Sequence, residues 1–174
     1  QGDANNKLRI IPIRLLFNDP DLNFRANYSM FDHKTGRPVC VGNGETCKRM
    51  TAKGVESLPC PSPMACEYGQ AGYCKAYGRL NVVIGDEDEL GTFVFRTTGY
   101  NSIRTLLSRL HYFSAVSNNQ LASLPLALRI RGKSTTQSFR QAIFYVDITN
   151  RPEHSLTQAI AIATEINLNR QQSG

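Results

Sequence analysis

Residues 7–17, KLRIIPIRLLF, are β-branched, apolar and basic, which predicts a strand with Pro12 bending it or marking a sheet edge. FRANYSMFD (24–32) alternates and predicts a second strand, ended by the turn residues of DHKTGRP (32–38). Residues 36–78 then show no sustained periodicity and read as an irregular loop, longer than compact domains usually carry unless something organises it. Pattern resumes with RLNVVI (79–84), the turn GDEDELG (85–91) and the returning strand TFVFRT (92–97). In GYNSIRTLLSRLHYF (99–113), Ile103, Leu106, Leu107, Leu110 and Phe113 share one helical face, with Asn101 or Ser102 as the cap. LPLALRIRGK (124–133) alternates again, with Leu126, Leu128 and Ile130 on one side and Arg129, Arg131 and Lys133 on the other. SFRQAIFYVDI (138–148) returns as a long, well-buried strand. Ser155-Leu-Thr-Gln158 is a capping-box pattern, and Leu156, Ala159, Ile160, Ala163, Ile166 and Asn167 follow it at helical spacing. Hairpins imply antiparallel pairing, and two amphipathic helices can cover one sheet face, so the class is α+β.

The chain of 174 residues suits a single α+β domain over 7–174, with 37–78 as a cysteine-rich insertion. It opens Gln-Gly without a Met, as an expression-tag remnant would, so residues 1–6 are set apart as a disordered N-terminus. No apolar run approaches a membrane span and no secretory signal is visible, so the cytoplasm is the expected compartment.

Charge changes the picture through its distribution. The net +6 is concentrated in residues 91–151, which alone carry +7. Segregation of that kind suits a surface for polyanions, against the plainer reading of a solvated face. Arg129, Arg131 and Lys133 share a strand face, Arg140 sits on the returning strand, Arg96 ends the preceding strand, and Arg104 and Arg109 flank the helix. Guanidinium groups offer paired donors to phosphate oxygens. Tyr100, Tyr112 and Phe139 are candidates to stack on unpaired bases, although each taken singly reads more readily as core.

The loop holds Cys47-x12-Cys60-x5-Cys66-x7-Cys74, with Gly and Pro around the thiols. A structural zinc, unligated cysteines, disulfides and an iron–sulfur cluster all remain open on spacing alone. Cys40, in RPVCV, reads as a buried strand cysteine, and His33 is the one nearby imidazole. Asp86-Glu87-Asp88-Glu89 reads as a solvated hairpin tip, because consecutive carboxylates repel one another. His33, His111 and His154 assemble into no nucleophilic triad, and a four-cysteine site is coordinatively closed. No catalytic residue is assigned.

CKAYGRLNV (74–82) and GTFVFRTTGYNS (91–102), with LPLALRIRGK and FYVDI after them, resemble the recombination directionality factor-like proteins of phages and integrative elements. The likeness runs over residues 37–148. Some relatives carry only the label "hydrolase or metal-binding protein". The resemblance implies a phage-type accessory protein whose metal, zinc ahead of an iron–sulfur cluster, is held by Cys47, Cys60, Cys66 and Cys74, with Cys40 outside the set. It also implies a recombinase or integrase on DNA as partner, single- or double-stranded, and leaves an oligomer open. The expectation is thus a non-enzymatic accessory factor of a mobile genetic element in recombination or replication. A protein-interaction module whose basic face meets an acidic partner is the first alternative, and a metal-dependent hydrolase the second.

Overall fold

The computed structural model describes residues 10–86, 91–134, 136, 139 and 142–174. The expected tag remnant at 1–6, the acidic residues Glu87–Glu89 and Arg140 lie outside the described residues, as does the side chain of Lys133. The described chain is α+β, with strands β1 (Ile10–Leu15), β2 (Phe24–Phe31), β3 (Pro38–Gly42), β4 (Thr46–Thr51), β5 (Gly54–Pro59), β6 (Cys74–Ile84), β7 (Thr92–Thr97), β8 (Leu126–Ser134) and β9 (Ala142–Asn150). Its helices are α1 (Pro20–Asn23), α2 (Glu67–Gln70), α3 (Tyr100–Val116) and α4 (Leu156–Ser173), with a 3-10 turn at Leu121–Ser123. The strands hydrogen-bond in the order β5-β4-β3-β2-β6-β1-β8-β9, and β7 pairs with β6. Two compact units result. One takes the chain up to Phe24, Leu80–Phe95 and Arg104–Gly174; the other takes Arg25–Arg79 and Arg96–Ile103.

In the first unit β1 lies antiparallel to β6, with Ile13 opposite Ile84, and to β8, with Ile11 opposite Leu128. Pro12 is therefore no edge marker for the sheet: it faces Ala127 of β8 just where the ladder to β6 runs out, so its missing N–H costs nothing there. The long β8–β9 hairpin pairs Leu126 with Asn150 through to Ser134 with Ala142. Leu106, Leu110 and Phe113 of α3 are buried with Ile13, Leu80, Leu126 and Ile148, as the helical spacing predicts. The helix begins at Tyr100, so Asn101 and Ser102 lie in its first turn and do not cap it. At its other end Asn118 and Asn119 take positive φ, which their short polar side chains tolerate, and the Asn119 amide N–H donates back to the Ser114 carbonyl. The capping box of α4 is complete, Ser155 accepting from the Gln158 N–H and Gln158 accepting from the Ser155 N–H. Buried Arg151 donates to the carbonyls of Leu126 and Ile13 and grips Asp86 at 2.8 and 3.0 Å; Arg14 donates to the same carboxylate.

The second unit corrects the reading of 36–78 as an irregular loop. β2, β3, β4 and β5 form an antiparallel meander, in register from Tyr28–Gly42 through Gly42–Cys47 to Cys47–Leu58. Its turns are tight. Asn43 accepts from the N–H groups of Glu45 and Thr46, and Gly54 takes φ +104 in the turn between β4 and β5. The strands are short and half-exposed, so polar residues occupy both faces and the alternation that marks a strand is weak. Among the described residues of this unit only Cys40, Cys47 and Ile103 are buried apolar side chains. That is a thin core.

Hydrogen bonds from Arg151, and then from Arg14, hold the Asp86 carboxyl well below the usual carboxylate range. A depressed folded-state value stabilises the fold fully above the unfolded value near ~3.9 and loses that contribution as pH falls below it. We expect the urea midpoint to fall more steeply between about pH 5 and about pH 2 in the unmodified chain than in Asp86→Asn.

Candidate nucleic-acid groove and thiol pocket

The groove belongs to the first unit and is built around one carboxylate. Asp147, on β9, is 1% exposed. Its Oδ1 accepts from Arg109 Nε of α3 at 3.0 Å, and its Oδ2 accepts from Arg131 Nε of β8 at 2.7 Å. A buried carboxylate without cationic donors is strongly disfavoured, so this pairing locks the flank of α3 to the β8–β9 hairpin. Both arginines remain partly exposed, and two recesses share them. One, of about 500 Å³, is lined also by Arg104, Thr105, Ser108 and Tyr145. The other, of about 380 Å³, is lined also by Arg129, Tyr112, Thr149 and His154. In that second recess Arg129 Nε and Thr149 Oγ1 are buried and have no hydrogen-bond partner among the described residues.

The structure thus brings Arg104, Arg109, Arg129 and Arg131 together. Arg96 ends β7 and belongs to the other unit. Arg140 and the Lys133 side chain lie outside the described residues. Of the three aromatic candidates, Tyr112 lines the groove, 45% exposed and edge-on to Phe113; Tyr100 belongs to the other unit, and Phe139 is exposed in the connection from β8 to β9. The strand expected to be well buried is so only at Asp147 and Ile148, with Phe144 60% exposed. Asp147 escaped the sequence reading, although a single acid among the apolar residues of FYVDI is a signal that cations must meet it. Asp86, read there as part of a solvated tip, is instead the partner of Arg151 and Arg14.

The thiol pocket belongs to the second unit. Cys40 of β3, Cys60 after β5, Cys66 before α2 and Cys74 at the start of β6 line a recess of about 20 Å³, closed by Arg49 and Tyr68. Cys47 adjoins it across Gly42, where an added Cβ would stand 2.7 Å from Cys60 Sγ and 2.9 Å from Cys47 Cβ. Glycine is what lets those two cysteines close in. Cys40 lines the recess because it shares a face with Gly42, a strand register that no linear spacing displays. His33 packs instead near the Tyr73 ring. All five cysteines are free. Burial, then the neighbouring Cys40, Cys66 and Cys60, push the Cys74 thiol up to about 11; burial and a hydrogen bond with Cys40 raise Cys47. Arg49 stacks over Tyr68 at 4.8 Å, and hydrogen bonding to Cys40 holds its guanidinium above its ordinary value. The donors have the softness that zinc or iron prefers, and Gly42 leaves the space that a Cβ would fill. As the side chains stand, no three His, Cys, Asp or Glu among the described residues are arranged to hold a metal.

An α+β chain with an arginine groove in one unit and clustered thiols in the other suggests a binding protein. The chain belongs to the Gp3-like, recombination directionality factor-like family, whose model matches residues 1–151. That membership points to an accessory role in phage recombination. No curated protein and no solved structure matches the chain. No described helix is long and apolar enough to cross a membrane.

Replacing Asp147 by Asn keeps its shape and removes the charge that two guanidiniums share. We expect a loss of roughly 1–3 kcal/mol, since the arginines are exposed enough to rehydrate, read as a lower urea midpoint at unchanged slope. Gly42→Ala should cost about 1–3 kcal/mol by overpacking against Cys60 in the same assay.

Proposed function

We propose that this protein is a non-catalytic accessory factor of a mobile genetic element, and that its arginine groove contacts DNA or a recombinase–DNA complex during recombination. The observation that carries the reading is the grouping of Arg104, Arg109, Arg129 and Arg131 around two recesses that share Arg109 and Arg131, with a buried Arg129 Nε that has no partner among the described residues. A donor held beneath the surface favours any acceptor that enters the recess, and a phosphate oxygen is one that a guanidinium matches well. Phosphate oxygens fit guanidinium groups in pairs. Family membership supplies the biological setting.

In the second unit, the proposed cofactor is a structural zinc held by Cys47, Cys60, Cys66 and Cys74, with Cys40 as an adjoining thiol. Four-sulfur zinc is closed to substrate and supplies cross-linking in place of a core. The thin apolar core of the unit and the sulfur-lined recess support that role. An acidic protein partner is a second reading, favoured by Asp147 itself: a carboxylate already satisfies two of these guanidiniums.

Two measurements test these readings. DNA affinity should fall with added salt at a log–log slope of about −0.9 for each phosphate neutralised on duplex, and a flat response opposes the groove reading. Elemental analysis of protein purified without added metal should find about one zinc per chain, lost in Cys74→Ser; a metal-free, fully folded protein opposes the zinc.

A further inference from the structure

We propose that the groove takes an unpaired nucleotide, so that the nucleic acid this protein engages is single-stranded or locally opened. The inference rests on the nucleic-acid reading above and commits it to one strand state.

Three features of the recess beside Tyr112 carry it. First, the space is an open concavity of about 380 Å³, room enough to seat part of a nucleotide. Second, its orphaned groups, Arg129 Nε and Thr149 Oγ1, lie below the surface. A ligand must insert to reach them. Third, its rim carries an exposed aromatic ring in the same recess as four arginines, Arg109, Arg129, Arg131 and the Asp86-paired Arg151. A ring face beside guanidiniums is the combination that holds single strands, because every base offers a π-face and every linkage a phosphate. Paired bases spend those faces on one another.

The neighbouring recess extends the same track. Arg109 and Arg131 belong to both, so one nucleotide seated against Tyr112 has its phosphate beside the shared guanidiniums and the next linkage running towards Arg104. Asp147 acts here as a positioning residue. Buried at 1% exposure, it holds the two shared guanidiniums in place while facing away from solvent. The remaining polar groups of the rim, among them His154, suit the edge of a base without dictating which base.

The test is fluorescence anisotropy on the full chain with a labelled oligothymidine, the same strand annealed to its complement, and unlabelled thymidine monophosphate as competitor. The single strand should bind at least about ten-fold tighter than the duplex. Tyr112→Ala should weaken single-strand binding about 5- to 150-fold with little effect on duplex binding, and Tyr112→Phe should restore it. Tyr112 is exposed, so the alanine variant should fold, and its urea midpoint checks that. Duplex binding as tight as single-strand binding, or a preference that survives Tyr112→Ala, overturns the proposal and leaves the nucleic-acid reading standing. A mononucleotide that competes as tightly as the strand also overturns it, by making a free nucleotide the ligand. Salt-independent binding, or no binding to either form, overturns the nucleic-acid reading itself.

Discussion

A carboxylate sealed from water must be met by cations, and in this protein that requirement shapes the basic surface. Asp147 sits in the middle of a hydrophobic strand, where its charge is tolerable only because Arg109 arrives from α3 and Arg131 from β8. The two guanidiniums are thereby tied to the sheet instead of ranging freely through solvent. Arginines held in this way lose less freedom when a phosphate arrives, which is how preorganisation turns charge into affinity. Arg129 stands directly opposite Asp147 in the β8–β9 register, yet its buried Nε has no partner among the described residues.

The second unit meets a different shortage. Among its described residues the apolar side chains buried are Cys40, Cys47 and, from α3, Ile103, too few to fix a fold of that size by burial alone. Where apolar mass is lacking, sulfur is concentrated: four thiols line one recess, and a fifth is pressed towards it through the gap left at Gly42. Arg49, stacked on Tyr68, hydrogen-bonds Cys40 at this recess.

Much of this was legible in the sequence, and the failures have physical causes. The β8–β9 hairpin and α3 have periods set by a real core, and α4, which buries only Ala159 and Ala163, is marked by its capping box, so the pattern announced them. The meander at β3 to β5 went unseen because its strands are half-exposed and carry polar residues on both faces. The basic face was visible as a charge excess, yet its concavity was not, since that depends on how far α3 stands from the hairpin. Asp147 and Asp86 were missed for a related reason. Their roles follow from partners 38 and 65 residues away in sequence, and such distances are closed only by folding. Cys40 is the buried strand cysteine that RPVCV predicts, and its place in the thiol recess follows from cross-strand neighbours that linear spacing does not display.

Family membership and the groove meet in the reading proposed above, that the arginines fastened around a buried acid contact nucleic acid. The most direct measurement is a heteronuclear NMR titration that follows the arginine Nε–Hε resonances as an oligonucleotide is added. The account predicts that Arg129, Arg109 and Arg131 shift together and saturate at one concentration, with Arg14, paired with Asp86 and lining neither recess, unmoved. Shifts confined to other arginines, with those three unchanged at saturation, would contradict it.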